Sequence, residues 1–248
     1  MIIDCHTHWG MCWEERDHGD PTRWLGTLNK HGVDKALLMG HAGLYRVDRC
    51  TTDNDTVARV ASRAPDRLIP IGATWPQMGK EGVEEVRRCV EDLGMKGLKV
   101  HPWIQGFSTA DPFFGEMCGL AGELGVPVFF HDGTPCYSLS EQIGGLARRF
   151  PSTRFVLGHS GLLWNWRSAL EAARFPNVWV CLCGPHMRGM EIFCQRVDPD
   201  RILWGTDYGF GFSDPMGYRL ALIRRSNIAE ALREKILGIN PLRLLERS

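Results

Sequence analysis

The stretch IIDCHTHWG, residues 2–10, carries two histidines, His6 and His8, one residue apart at the end of a short apolar run. Side chains two residues apart on a β-strand point to the same face. Both imidazoles are therefore expected on one side of the strand, with Asp4 and Ile2 below them. Because buried polar rings are costly unless they are satisfied, the pattern favours two ligands for one metal ion.

Seven further apolar runs follow, at intervals of roughly 30 residues, the length that a β-α unit needs. The runs are nearly continuous in apolar character, as expected for strands that are covered on both faces. Together with the first run, the eight span residues 2–8, 33–40, 67–74, 97–101, 126–132, 154–160, 177–184 and 201–207. The sequence therefore predicts a single (β/α)8 TIM barrel forming one domain over residues 1–248. An open doubly wound sheet is the alternative, but it would more often carry a glycine-rich phosphate loop after its first strand.

Charge and composition restrict the class of partner. The 248 residues contain 29 Lys plus Arg and 29 Asp plus Glu, so the formal net charge is zero, which argues against nucleic acid or a membrane surface as the main partner. The nine cysteines show no framework spacing, and no signal peptide or membrane-spanning run of roughly 18 apolar residues is recognised. We expect a cytoplasmic protein with a small-molecule substrate; a homodimer is left open.

Histidine, lysine and aspartate residues occur at the predicted carboxyl ends of the strands, where barrels of this kind carry their active sites. His18, His31 and His41 are instead assigned to helices and loops. The residues at strand ends are His6, His8, Lys99, His101, His131, His159 and Asp207.

The side chains of these residues are of the kinds that bind divalent metal ions. Imidazole and carboxylate groups are preferred by borderline divalent cations, and three protein ligands plus water define an open catalytic zinc site. His6, His8, His131 and Asp207 could surround one ion. Zinc is favoured by ligand type, although manganese or iron would also suit, and we predict one ion per chain.

Five segments together resemble the amidohydrolase-2 (amidohydrolase-related) family of metal-dependent barrels. They are IDCHTH, GLKVHP, ELGVPVFFHDG, RFVLGHSG and RILWGTDYGF, and the resemblance extends over essentially the whole chain. That family includes aminocarboxymuconate-semialdehyde decarboxylase, lactone hydrolases and aromatic acid decarboxylases. The resemblance implies that His6, His8, His131 and Asp207 bind the metal and that His159 is the catalytic histidine.

Two activities are compatible with these residues. A bound ion can lower the pKa of its water toward about 7, after which Asp207 would accept the proton and His159 would act as acid or base. This predicts a metal-dependent hydrolase of a small, carboxylated cyclic ester, lactone or amide. The alternative is a non-oxidative decarboxylase of an aromatic or unsaturated carboxylic acid. A non-catalytic barrel with a structural metal is disfavoured, because it would not need His159.

Five residues are predicted to bind the substrate: Lys99, His101, Arg46, Trp75 and Arg188. A lysine at position 99 suits a substrate carboxylate as a point charge, but it could also neutralise a buried carboxylate such as Asp4 or, after carbamylation, bridge two metals. We expect it to be unmodified. The arginines could clamp a carboxylate from loops, and the tryptophan could wall a planar substrate. His101 could equally be a hydrogen-bonded loop histidine.

Cys181 and Cys183 form a C-x-C pattern on the predicted seventh strand. Buried cysteines commonly behave as small apolar residues, which is the interpretation we favour here over binding of a soft metal.

Overall fold

The computed structural model describes residues 1–10, 20–210 and 213–246. Eight parallel strands follow one another around a barrel in chain order, and each is followed by at least one helix. The predicted (β/α)8 architecture is confirmed. The strands are β1 (Ile3–Trp9), β2 (Lys35–Gly40), β3 (Leu68–Ala73), β4 (Leu98–Val100), β5 (Val128–Phe130), β6 (Phe155–Leu157), β7 (Val178–Cys181) and β8 (Ile202–Leu203).

Twelve α-helices occur in the described part of the chain, and none of its helices is both long and apolar enough to cross a membrane. They are α1 (Thr22–His31), α2 (Ala42–Tyr45), α3 (Cys50–Ser62), α4 (Lys80–Glu91), α5 (Pro102–Gln105), α6 (Pro112–Glu123), α7 (Ser140–Arg149), α8 (Trp166–Ala172), α9 (Met187–Arg196), α10 (Met216–Arg225), α11 (Glu230–Glu234) and α12 (Asn240–Leu245). Three short 3-10 helices (Val47–Arg49, Pro76–Met78 and Pro199–Arg201) and one π-helical turn (Lys235–Ile239) complete the set.

Two apolar layers hold the fold together. The larger one lies between the strands and the surrounding helices and includes Leu28, Val86 and Phe193. The smaller one contains side chains from the other face of the strands, such as Leu37 and Phe129, and fills the barrel. Because the barrel interior is packed, polar side chains can gather only near its ends.

A β-bulge in β1 changes which residues of that strand face the interior. The register of β1 against β2 shifts between Asp4 and Thr7. Ile3 and Cys5 consequently pack in the inner apolar layer, whereas Ile2 packs against the outer one. The prediction that Ile2 lies below His6 on the same face is therefore wrong, since a bulge inserts an extra residue and interrupts strict alternation.

The backbone of β1 also pairs with the segment that follows β8. The backbone N–H of Cys5 donates to the carbonyl of Trp204 over 3.0 Å, and that of Asp207 donates to the carbonyl of His6 over 2.8 Å. These bonds join the first and last strands, so that the row of eight closes on itself.

A buried carboxylate reinforces this closure. Asp4 accepts hydrogen bonds from the hydroxyl of Thr206 at 2.5 Å and from the backbone N–H groups of Thr206 and His6, both at 3.1 Å. Burial raises the pKa of Asp4 to about 7 even though these hydrogen bonds act in the opposite direction. The carboxyl group therefore needs its hydrogen-bond donors to compensate for its burial.

Thr206→Val should destabilise the protein, because the substitution keeps the side-chain volume and removes the hydroxyl that donates to Asp4. Leaving a buried acceptor without this donor is expected to lower the free energy of unfolding by about 1–3 kcal/mol, measured by urea titration. Thr52→Val on the exposed face of α3 is the matched control and should cost less than about 0.5 kcal/mol. Equal losses in the two variants would contradict a special role for the Asp4 contact.

Candidate active site and metal centre

Three predicted metal ligands meet at the carboxyl end of the barrel. The Oδ1 atom of Asp207 lies 3.2 Å from Nε2 of His8 and 3.6 Å from Nε2 of His6. One ligand atom of each residue lies within 4.8 Å of those of the other two. Residues from opposite ends of the sequence thus form one compact group, which we call the ligand cluster.

The fourth predicted ligand, His131, lies beside this cluster rather than in it. Its ring stacks on that of His101, with centroids 3.8 Å apart and planes 10° apart, and meets His159 edge-on at 4.4 Å. Within the part of the chain that the structure describes, His131 belongs to no group of three or more residues whose ligand atoms are close enough for one ion.

The orientation of His6 is fixed by its neighbours. Its Nδ1 lies 3.2 Å from the carbonyl oxygen of Gly158, an acceptor that requires the proton on Nδ1. The unprotonated Nε2 then lies 2.9 Å from Nζ of Lys99 and 3.6 Å from Oδ1 of Asp207. A Cβ atom at position 158 would collide with the carbonyl of Phe130 and come within 2.7 Å of the His6 ring. A Cβ atom at Gly205 would approach Cβ of His6 to 2.7 Å. Both glycines therefore create the space that this imidazole occupies.

The backbone of Asp207 adopts a left-handed conformation with φ of 63°, which is unfavourable for a residue with a side chain. Its Oδ1 is buried and receives no well-aligned hydrogen bond from the described residues, although His8 lies 3.2 Å away. Backbone strain and an unsatisfied buried oxygen occur together at functional sites more often than elsewhere. Both observations fit an oxygen directed at a cation.

Burial determines the protonation of the site. It lowers the pKa of His159 to about 4 and that of His101 to about 2, and it also lowers the pKa of His6, His8 and His131. Burial alone would raise the pKa of Asp207, but contacts with His8, His159 and His6 hold it well below its usual range. Neutral imidazoles beside an ionised carboxylate are the state in which these groups bind a metal, so the donor set fits a divalent ion.

Lys99 contributes a cation to the same region. It lies in the middle of β4, its side chain is buried, and its Nζ is 2.9 Å from Nε2 of His6. Burial lowers the pKa of Lys99 to about 8. The ammonium group thus faces the ligand cluster, which differs from the interpretation in which it neutralises Asp4.

His159 is held by a residue that sequence reasoning missed. The carboxylate of Asp132 accepts 2.6 Å hydrogen bonds from the backbone N–H groups of His159 and Gly161, and a third, of 3.2 Å, from the hydroxyl of Ser140. Burial raises the pKa of Asp132 to about 6 against these hydrogen bonds. Asp132 therefore fixes the turn that carries His159. Its signal in the sequence is its position directly after His131.

His41 and Phe210 are also part of the site. His41 directly follows β2, and its ring centroid lies 5.2 Å from that of His8 and 4.9 Å from that of Phe210. The ring of Phe210 also lies 5.2 Å from that of His8 and 6.3 Å from that of His101. His41 lies in a loop, as predicted, but its ring contacts also make it part of the site.

Three of the predicted substrate-binding residues make contacts outside the ligand cluster. The side chains of Arg46 and Arg188 are 63% and 69% exposed and form surface ion pairs with Asp48 and Glu191. Trp75 is buried in a small apolar cluster with Leu44, Cys50 and Ala73. A substrate-binding role for these three residues gains no support from their positions. Of that predicted set, Lys99 and His101 lie at the site.

Cys181 and Cys183 are buried in the inner apolar layer, as their apolar interpretation requires. Cys183 has a second environment, because its sulfur belongs to a group with ring nitrogens of His6 and His159 in which all ligand atoms lie within 4.8 Å of one another.

Solved structures share this architecture. The 5-carboxyvanillate decarboxylase of Sphingomonas paucimobilis superposes with a TM-score of 0.81 at 19% identity, covering 100% of this chain and 99% of that one. A 5-carboxyvanillate decarboxylase of Novosphingobium aromaticivorans, complexed with manganese and 4-hydroxy-3-methoxy-5-nitrobenzoic acid, gives 0.77 at 16% identity, covering 99% and 96%. At these identities the likeness establishes the fold.

Sequence relatives correct the predicted activity. The chain is 23% identical to 2-amino-3-carboxymuconate-6-semialdehyde decarboxylase of Dictyostelium discoideum, covering 94% of this chain and 77% of that protein. It is also 23% identical to gamma-resorcylate decarboxylase of a Rhizobium species, covering 96% and 91%. A 2-keto-4-carboxy-3-hexenedioate hydratase of a Sphingobium species is 22% identical, covering 84% and 83%. These relatives overturn the prediction of a hydrolase and favour the decarboxylase alternative.

The family resemblance seen in the sequence is confirmed. The family model described as amidohydrolase (Amidohydro_2) matches residues 3–247, almost the full length. The barrel, the ligand cluster at its carboxyl end and the strand-end histidines are all included in that match. The chain is an enzyme of the amidohydrolase-2 family.

Proposed function

We propose that this enzyme is a non-oxidative, metal-dependent decarboxylase of an aromatic or unsaturated carboxylic acid. The observation that carries the proposal is the match with two decarboxylases over 94% and 96% of the chain. The chemistry of the site agrees with it, because a buried cation on Lys99 and a neutral His159 lie beside the ligand cluster. Decarboxylation needs a group that attracts a carboxylate and a group that delivers a proton.

His6, His8 and Asp207 would hold one divalent ion. When bound, the ion would supply a Lewis-acid contact for the substrate carboxylate and a neighbouring oxygen. The manganese of the Novosphingobium structure makes manganese a candidate beside zinc, and the nitrogen and oxygen donors suit both. His131, whose ring contacts that of His159, remains a predicted fourth ligand.

The substrate's carboxylate would lie near the Lys99 ammonium, and its planar body would lie against Phe210 and the stacked rings of His101 and His131. Few groups in this region carry charge, because burial keeps the imidazoles neutral. A lysine cation in such surroundings attracts an anion more strongly than it would in water. This arrangement favours a flat, unsaturated acid over a saturated one.

Bond breaking then requires an acceptor for electrons and a donor for a proton. When the carbon–carboxylate bond breaks, carbon dioxide leaves and the electron pair remains on the substrate carbon, where an unsaturated system delocalises it. His159 would donate the proton that completes the product. An incoming carboxylate favours the protonated imidazole, because its negative charge offsets the nearby Lys99 cation. Asp132 would keep His159 in place through its two backbone hydrogen bonds.

The activity itself can be tested on the manganese-loaded enzyme with a panel of aromatic and unsaturated carboxylic acids in deuterium oxide. We expect release of carbon dioxide and incorporation of one deuterium at the carbon that lost its carboxylate, measured by mass spectrometry. A product that gains water and keeps its carboxylate would instead assign a hydratase and overturn the proposal.

Replacing His159 should separate catalysis from metal binding. His159→Asn is expected to lower kcat by about 100-fold or more, the scale of acid–base catalysis, while the manganese content measured by elemental analysis stays unchanged. The control is His186→Asn, an exposed residue at the N-cap of α9, where asparagine also caps a helix. Loss of manganese in His159→Asn would make this residue a ligand and contradict its role as proton donor.

Gly158→Ala should weaken metal binding without touching a ligand. The added methyl collides with the Phe130 carbonyl and the ring of His6, so the ring must shift from the position it holds in the ligand cluster. We expect manganese affinity, measured by calorimetric titration, to fall by about 10-fold or more, as for other changes that misorient ligands. Gly145→Ala in α7 is the control, because a methyl there meets nothing within 4 Å. Equal affinities in the two variants would show that Gly158 does not position His6.

A further inference from the structure

A second group of potential metal ligands lies against the first. It consists of His6, His159 and Cys183, all buried, with one ligand atom of each within 4.8 Å of those of the others. Cys183 follows β7, and the proposed decarboxylation gives its thiol no task. A thiol beside two neutral imidazoles is unusual in a packed apolar layer.

An unsatisfied nitrogen belongs to a member of the same group. The Nε2 atom of His159 is buried and has no hydrogen-bond partner among the described residues, and the side chain is only 3% exposed. Its ring centroid lies 4.7 Å from that of His6. A buried nitrogen of this kind costs free energy unless something outside the protein binds it.

The two ligand groups cannot each hold an ion at the same time. They share His6, whose Nδ1 faces the carbonyl of Gly158 and therefore leaves only Nε2 as a ligand. One lone pair binds one cation. The groups are thus alternative positions for a single ion, the first with nitrogen and carboxylate donors and the second with nitrogen and sulfur donors.

Donor type distinguishes the ions that each position accepts. Carboxylate oxygen suits harder ions such as manganese, whereas thiolate selects softer ions such as zinc and cadmium. We infer that His6, His159 and Cys183 form a second, inhibitory position for a thiophilic divalent cation. An ion at this position binds the imidazole of His159, which can then no longer donate a proton. The Cys183 thiol releases its proton to solvent as the sulfur–metal bond forms.

The inhibitory part of this inference rests on the proposed function, since it needs His159 as the proton donor. The site itself does not, because coordination by sulfur can be detected without any substrate. Spectroscopy therefore tests the position, and activity tests its consequence.

Titration of the protein with cadmium alone provides the first test. We expect the ultraviolet charge-transfer absorption of a cadmium–thiolate bond to saturate at one ion per chain in the wild type and in Cys136→Ser, whose cysteine is exposed. In Cys183→Ser this absorption should disappear and cadmium affinity should fall by about 10-fold or more. Persistence of the full absorption in Cys183→Ser would overturn the inference.

A measurement on the unaltered protein covers the case in which Cys183→Ser fails to fold. The cadmium NMR resonance of the wild type should report a sulfur ligand together with nitrogen. A resonance characteristic of nitrogen and oxygen ligands alone would place the ion in the ligand cluster and overturn the second position.

Activity assays of the manganese-loaded enzyme complete the test. Cadmium should inhibit the wild type, whereas Cys183→Ser should tolerate at least about 10-fold more cadmium. Equal inhibition of both proteins would overturn the inhibitory role while leaving the spectroscopic result intact. If neither protein decarboxylates any acid but the thiolate absorption is present, the proposed function fails and the metal position stands.

Discussion

The closure of the barrel between β1 and the segment after β8 is the constraint on which the site depends. The carboxylate of Asp4 binds Thr206 and the backbone of His6. Asp207, which follows Thr206 in the chain, donates its backbone N–H to the carbonyl of His6. The contacts that close the sheet therefore also set the distance between the imidazole and the carboxylate of the ligand cluster. Fold and site share the same few hydrogen bonds.

Two glycines and the burial of the site determine the position and the protonation of its polar groups. Gly158 and Gly205 admit the ring of His6 at separations that any side chain would block. Burial then keeps that ring neutral, while Asp207 stays ionised among the imidazoles around it. The polar groups are thus arranged before any ligand arrives, which reduces the reorganisation that binding or catalysis requires.

The sequence was sufficient for the barrel and for most of the strand-end residues, because apolar runs at β-α spacing and the position of barrel active sites are local and topological regularities. It was insufficient where packing in three dimensions determines which side chains contact each other. The bulge in β1 leaves no mark on the alternation of His6 and His8, and nothing local predicts that His131 stacks on His101. Arg46 and Arg188 were chosen by charge, yet their partners are surface carboxylates.

Activity was harder to predict than architecture, because one fold supports several reactions. An aspartate, a lysine and neutral histidines beside a cation can activate water or assist the loss of carbon dioxide. Asp132 and Phe210 illustrate a related difficulty. One acts through the backbone of His159 and the other through ring contacts, and neither role follows from the side-chain type alone.

The seam between β1 and the end of β8 has a consequence for folding. The contact between Asp4 and Thr206 joins residues 202 positions apart, so it forms only after nearly the whole chain has been ordered and its loop-closure entropy has been lost. No partly synthesised chain that lacks β8 can contain the ligand cluster. A cation held there would bind only the completed barrel and stabilise it by mass action. Ion concentration and resistance to unfolding would then be thermodynamically linked.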